Sequence, residues 1–167
     1  MDSRAILAEL PRLRRYARAM LGDRAAADDL VQDTLERAWS RIAQWRAGSD
    51  LRAWLFGIMH NLRVDQLRRN GLPTTSLDEE EVAEVPVRPT QSDSLEVMDL
   101  ESALRQLPDE QREVLLLVAL EEMSYADIAA SLGIPIGTVM SRLSRGRERL
   151  RVVMDGRQPS ANLRVVR

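Results

Sequence analysis

Residues 124–145 read SYADIAASLGIPIGTVMSRLSR, and this stretch decides the fold. Ser124 with Asp127 three residues on is a capping-box pattern that opens a short helix. Gly133 ends that helix, and Pro135 suits the first turn of a second one, predicted to run to about Val152. Two helices joined through a glycine turn make a helix-turn-helix, whose second member enters the major groove of DNA. On a helical wheel Ile136, Val139, Leu143 and Leu150 form one seam, expected to be buried. Thr138, Ser141, Arg142, Arg145 and Arg149 fall on the open side. Short hydroxyls and guanidiniums on an exposed face read base edges and hold phosphates. A basic stripe alone is as readily a solvated face; the cap, the turn and the hydroxyls shift the reading toward DNA.

Upstream, the same periodicity continues. Leu95 to Leu107 is predicted as one helix broken by Pro108, and Asp109 to Glu122 as another, with Val114, Leu117, Val118 and Glu121 along it. Ser3 to Leu21 carries Ile6, Leu10, Leu13, Ala17 and Met20 at helical spacing and stops at Gly22. Asp23 caps a second helix with Leu30, Leu35, Ala38, Ile42 and Trp45 on one stripe. Asp50 caps a third, in which Leu51, Leu55, Ile58 and Leu62 recur, ending at Gly71. No strand-like alternation is present, so the fold class is all-α. Between the two helical groups, residues 71–94 hold Pro73, Pro86, Pro89 and the acids Asp78 to Glu81 with no helical or strand period. The expected organisation is therefore two small helical domains, 1–70 and 95–153, joined by an acidic flexible linker, 71–94, with a loose tail over 154–167.

Composition narrows the function. The 167 residues contain no Cys and one His, which excludes a disulfide scaffold, a thiol nucleophile and Cys-based metal sites, and leaves little for a catalytic triad. No catalytic residue, metal or cofactor is expected. The longest apolar run, Val114 to Leu120, is far short of a membrane span, and no secretory leader is apparent, so a cytoplasmic protein without membrane insertion is expected. All 24 basic residues are Arg. Residues 1–70 are net +4, residues 71–94 net −5 and residues 95–167 net −1, yet Thr138 to Arg151 alone holds five Arg and one Glu. Two arginine-bearing surfaces are separated by an acidic strap, and arginine pairs with phosphate and guanine in bidentate geometry.

Leu107-Pro108, Arg112-Glu113-Val114, Ser124 to Ala129 and Leu132 to Leu143 together resemble region 4 of bacterial sigma factors, in the small extracytoplasmic-function (ECF) group. Ala27 to Thr34, then Leu51 to Asn61 and Asp65 to Arg69, independently resemble region 2. The two blocks cover roughly residues 5–152. The resemblance implies a subunit that binds core RNA polymerase, at the β′ clamp helices and the β flap, and recognises the −35 and −10 elements of promoter DNA. It implies polymerase contacts from Asp29, Gln32 and Asp33, which share one helix face; helix-terminal acids complementing the macrodipole account for Asp28 and Asp29 but less well for Gln32. It places −35 contacts on Thr138, Ser141, Arg142, Ser144 and Arg145. Contacts to the melted −10 strand fall on Arg46, Ser49, Arg52, Asn61, Arg63 and Arg68, where a flipped base meets a polar pocket. Trp54 reads as core, Phe56 is balanced between core and base stacking, and His60 reads as a surface or interface residue.

One departure stands out: many relatives carry a basic residue where this chain has Met140, which puts a −35 contact in doubt. Two elements about 17 base pairs apart lie roughly 58 Å apart at about 3.4 Å per pair. A 24-residue linker spans up to roughly 80 Å at about 3.3 Å per residue. Its acids suit either a basic channel of polymerase or plain solvation. The resemblance also implies an anti-sigma factor as partner and no small-molecule substrate. The rival reading is a sigma mimic that sequesters an anti-sigma factor without touching DNA. Such mimics carry a further phosphoacceptor domain, for which this chain is short. An enzyme using Asp78 to Glu81 as a metal site is remote.

Overall fold

The structure, a computed structural model, describes residues 3–71 and 95–156. The acidic linker expected beyond Gly71 and the tail beyond Gly156 lie outside the described residues. Among the described residues eight α-helices follow in order: α1 Ser3–Ala8, α2 Leu10–Leu21, α3 Arg24–Ser40, α4 Leu51–Arg69, α5 Leu95–Leu104, α6 Asp109–Ala119, α7 Tyr125–Leu132 and α8 Ile136–Gly156. A single 3-10 turn, Ile42–Gln44, follows α3. The all-α class holds, with no strand among the described residues.

The caps fall where short polar side chains allow them. Asp23 accepts from the Ala25 N–H, Asp50 from those of Arg52 and Ala53, and Ser124 from that of Asp127. Gly133, at φ 70°, makes the left-handed turn between α7 and α8 that a side chain would oppose.

Five helix boundaries differ from the periodicity: α3 stops at Ser40, leaving Ile42 in the 3-10 turn and Trp45 just past it, α8 runs beyond Val152 to Gly156, and three more differ as follows. The continuous helix expected over Ser3–Leu21 is two helices, broken at Glu9. Pro11 has no N–H to continue the ladder, and it sits instead in the first turn of α2, where none is needed. The helix expected to reach Leu107 ends at Leu104: the Gln106 and Leu107 N–H groups turn back onto Ala103 O and Leu104 O in tighter bonds ahead of Pro108, which has no N–H. The Arg112 guanidinium also donates to Leu104 O and Leu107 O at 2.8 Å each. The helix expected to reach Glu122 stops at Ala119, and Glu122 reverses the chain at φ 57°, unusual for a residue with a Cβ.

Within the first group α2 packs on α3 and α3 on α4; within the second, α6 and α7 pack on α8. The groups also pack on each other, α2 against α5 and α6, and α4 against α7. A single apolar cluster runs through both, joining Leu13, Tyr16, Met20, Leu55 and Phe56 to Leu107, Leu117 and Ile128. Phe56 is core: it is 2% exposed and meets Tyr16 edge to face at 4.9 Å. Gly57 lets α4 and α7 close, since a Cβ there would lie 2.8 Å from Ser131 O.

Candidate nucleic-acid interface

The seam of α8 is Val139 at 0% exposure and Leu143 at 2%, with Leu150 partly buried. Ile136 is not part of it. At the first position of the helix, it is 44% exposed. Ser144 and Arg145 are exposed, while Thr138, Ser141 and Arg149 are half-buried, so the open side is narrower than the wheel suggests. Ser141 Oγ donates to Thr138 O at 3.3 Å. Arg142 is also half-buried, with its guanidinium 3.8 Å from the Glu110 carboxylate of α6.

The −10 candidates divide into two sets. Arg46, Ser49, Asn61 and Arg68 are exposed, and the loop bearing the first two is closed by Ser49 Oγ donating to Arg46 O at 2.6 Å. Arg52 and Arg63 are engaged. Arg52 Nε lies 3.2 Å from Glu9 Oε1 across the first group. Arg63 forks onto Asp109 of α6, at 3.1 Å through Nη2 and 3.5 Å through Nε. Asp29, Gln32 and Asp33 are exposed on one face of α3, with Gln32 Nε2 donating to Glu36 at 3.4 Å.

Several further residues carry the seam between the two groups. His60 Nδ1 lies 2.6 Å from Glu113 Oε2, both side chains largely buried. Burial works to lower the His60 pKa, but the hydrogen bond and charge of Glu113, helped by Asp109 and opposed by Arg142, raise it overall. Glu121, 1% exposed, takes Arg12 at 3.3 Å and Arg15 at 3.4 Å from α2. Arg112 Nη1 donates to Met20 O at 2.8 Å, and Ser131 Oγ donates to Ala53 O at 2.6 Å. One signal for this set was in the sequence. Glu113 and Glu121 flank the longest apolar run and share its buried stripe with Leu117, at steps of four. Buried acids at such positions need cationic partners.

Among the described residues no group of His, Cys, Asp or Glu is placed to hold a metal ion, and no helix is long and apolar enough to cross a membrane. The arrangement offers a helix-turn-helix with an outward face on α8, an acidic face on α3, and a partly covered set of cations on α4.

Known proteins share both groups. Residues 6–60 match the family described as the Sigma2 domain of PhyR, and residues 98–150 match Sigma-70, region 4. The chain is 39% identical over 149 residues to the ECF RNA polymerase sigma factor EcfG of Rhodopseudomonas palustris, covering 89% of this chain and 82% of that one. Among solved structures it resembles the sigma factor RpoE of Bartonella quintana, determined in complex with the anti-sigma factor NepR. That match has 38% identity, a TM-score of 0.73, and covers 92% of this chain and 96% of the other. It also resembles CnrH, determined with the cytosolic domain of CnrY, at 28% identity and a TM-score of 0.67, over 92% and 86% of the two chains. With two family matches in order along one all-α chain, this protein belongs to the ECF RNA polymerase sigma factors.

Proposed function

We propose that the chain is an alternative sigma subunit that acts in the cytoplasm, has no catalytic activity of its own, and gives core RNA polymerase its promoter specificity. The observation that carries this reading is α8, the second helix of the pair, which follows the Ser124-capped α7 through the Gly133 turn and bears Ser144, Arg145 and Arg147 on its outward side. Residues 95–153 would hold the −35 duplex through Thr138, Ser141, Arg142, Ser144 and Arg145. Residues 1–70 would meet the β′ clamp helices with Asp29, Gln32 and Asp33, and take melted −10 bases with Arg46, Ser49, Arg52, Asn61, Arg63 and Arg68. The two groups touch here, whereas two promoter elements roughly 58 Å apart require them to part. In the packed form Arg63 is held by Asp109 of the other group, so separation would release it for DNA, whereas Arg142 is paired with Glu110 inside its own group. An anti-sigma partner is supported by the complex solved for RpoE with the anti-sigma factor NepR.

The test is transcription by core RNA polymerase on a genomic fragment library, with and without the purified chain. New starts preceded by two shared motifs at fixed spacing are expected. Arg142→Ala should then weaken use of the upstream motif by roughly tenfold, within the range of one lost base contact. Absence of new starts together with absence of a complex with core polymerase overturns the reading, and the anti-sigma-sequestering mimic takes its place.

A further inference from the structure

Ile136 and Met140 stand one turn apart at the start of α8, 44% and 47% exposed. A single half-exposed apolar residue is ordinary on any surface. Two on the opening turns of the second helix of a helix-turn-helix occupy the part that faces base edges. Gly137 lies between them and is also exposed. Its backbone is helical, not left-handed, and a Cβ added there would meet nothing within 4 Å. Neither conformation nor internal packing calls for glycine, which is a poorer helix former than alanine. What the missing side chain provides is a flat spot between two apolar side chains, open to something that comes from outside.

The surroundings identify the visitor by charge. Ser144, Arg145 and Arg147 continue the same exposed side, with Thr138 and Ser141 at its edge. Such a frame suits a polyanion and not an apolar protein surface. Within the major groove the alkyl group on offer is the C5-methyl of thymine.

Building on the promoter-recognition reading above, we propose that Ile136, Gly137 and Met140 form a thymine-reading surface. The Met140 thioether and the Ile136 side chain pack against C5-methyl groups of the −35 element, and Gly137 lets the base edges come close. Met140 thereby sets specificity by an apolar contact instead of a charged one.

The experiment uses holoenzyme assembled from the full chain and core RNA polymerase, on the promoter recovered by the library transcription. Each thymine of the upstream motif, on either strand, is replaced singly by deoxyuridine, which removes only the methyl group. Affinity is expected to fall about three- to fivefold at one or two positions, the value of one buried methyl group. In Met140→Ala the thymine and deoxyuridine templates should bind alike at one of those positions. Met140→Lys should lose the discrimination there too and show a steeper salt dependence, from one added phosphate contact. Both variants alter an exposed side chain, and unchanged thermal unfolding confirms that they fold. Gly137→Ala should raise the unfolding temperature while weakening promoter binding. Equal binding of all thymine and deoxyuridine templates by the wild-type holoenzyme overturns the proposal while leaving the sigma reading intact. So does full discrimination retained in Met140→Ala, or a loss in that variant confined to a protein partner. Failure to form holoenzyme or to start transcription on any template overturns both.

Discussion

α4 and α8 are the two longest helices described, at 19 and 21 residues, and each carries a candidate DNA-reading face, yet they meet the rest of the molecule in opposite ways. From Leu51 to His60 every residue of α4 is buried or half-buried, with α3 on one side and α7 on the other. Its Arg52 and Arg63 are spent on Glu9 and Asp109. α8 buries a narrow seam and leaves Ile136, Gly137, Met140, Ser144, Arg145 and Arg147 facing outward. On the proposed reading α8 offers its outward side to a duplex as it stands, whereas on α4 Asn61 and Arg68 are open but Arg52 and Arg63 have to be uncovered. The division matches the two targets, since a duplex exists before transcription starts and a melted strand does not.

The most severe way to break this comparison is at Arg112, which serves both groups. Its guanidinium donates to Leu104 O, Leu107 O and Met20 O at 2.8 Å each and to the Asp109 carboxylate at 3.3 Å. Arg112→Ala removes a donor from each of these carbonyls, of which Leu104 O keeps the Leu107 N–H, and leaves a cavity beside them, an expected loss of about 3–5 kcal/mol. Lysine, a point charge without the fork, should recover less than half. All 3 Trp residues, Trp39, Trp45 and Trp54, lie in the first group. Denaturation followed by Trp fluorescence thus reports on one group while the substitution sits in the other. A shift in the fluorescence transition equal to that in far-UV circular dichroism shows one coupled body; a fluorescence transition left in place shows that the groups unfold separately and ends the argument from a shared core.

Gly57→Ala separates the two reading helices more gently. The added methyl would lie 2.8 Å from Ser131 O, a backbone atom, so α4 and α7 have to move apart and the Ser131–Ala53 hydrogen bond is strained. Overpacking of about 1–3 kcal/mol is offset by about 1 kcal/mol of helix propensity, leaving a net loss of about 1 kcal/mol. Binding of single-stranded −10 DNA by the isolated chain should rise several-fold, while binding of −35 duplex stays level. If both rise together, α8 is covered to the same degree as α4, and the contrast between them is wrong.

The groups themselves were legible because their determinants are local. Asp23, Asp50 and Ser124 cap helices where their spacing from the following N–H groups says they should, and Gly133 turns where a left-handed residue is needed. At Pro11 the apolar stripe from Ile6 to Met20 runs through unbroken, and periodicity alone does not register a missing N–H. The seam was not legible, because a helical wheel shows which face of a helix is apolar and not which partner covers it. Arg63 and Arg142 read as free cations on sequence; their acids, Asp109 and Glu110, lie on a helix that periodicity cannot place beside α4 or α8. Ile136 fell on the apolar side of its wheel yet stands 44% exposed at the first position of α8, because a wheel does not show where along a helix its cover ends.

His60 gives the smallest and cleanest test of the covered helix. It faces Glu113 and Asp109 of α6, with Arg142 of α8 opposing its protonation. As the only histidine in the chain, it gives a single imidazole signal in a nuclear magnetic resonance titration. Burial by itself would bring the midpoint below the usual value near 6.5, and the 2.6 Å contact with Glu113 is what turns the shift upward. A raised pKa means that the packed form binds its proton more tightly than a form with the groups apart. The stabilisation is complete below about 6.5 and is lost as pH rises through the higher, packed-state value. Neutral imidazole still donates one N–H to the carboxylate, so only the charge-assisted part goes, under about 1 kcal/mol. The expected midpoint lies above 6.5 in the wild type and below it in Glu113→Gln, where burial acts without the opposing charge. Gly57→Ala, by loosening the same seam, should bring the midpoint back toward the solvent value. A wild-type midpoint at or below 6.5 would place His60 away from Glu113, and with it α4 away from α6.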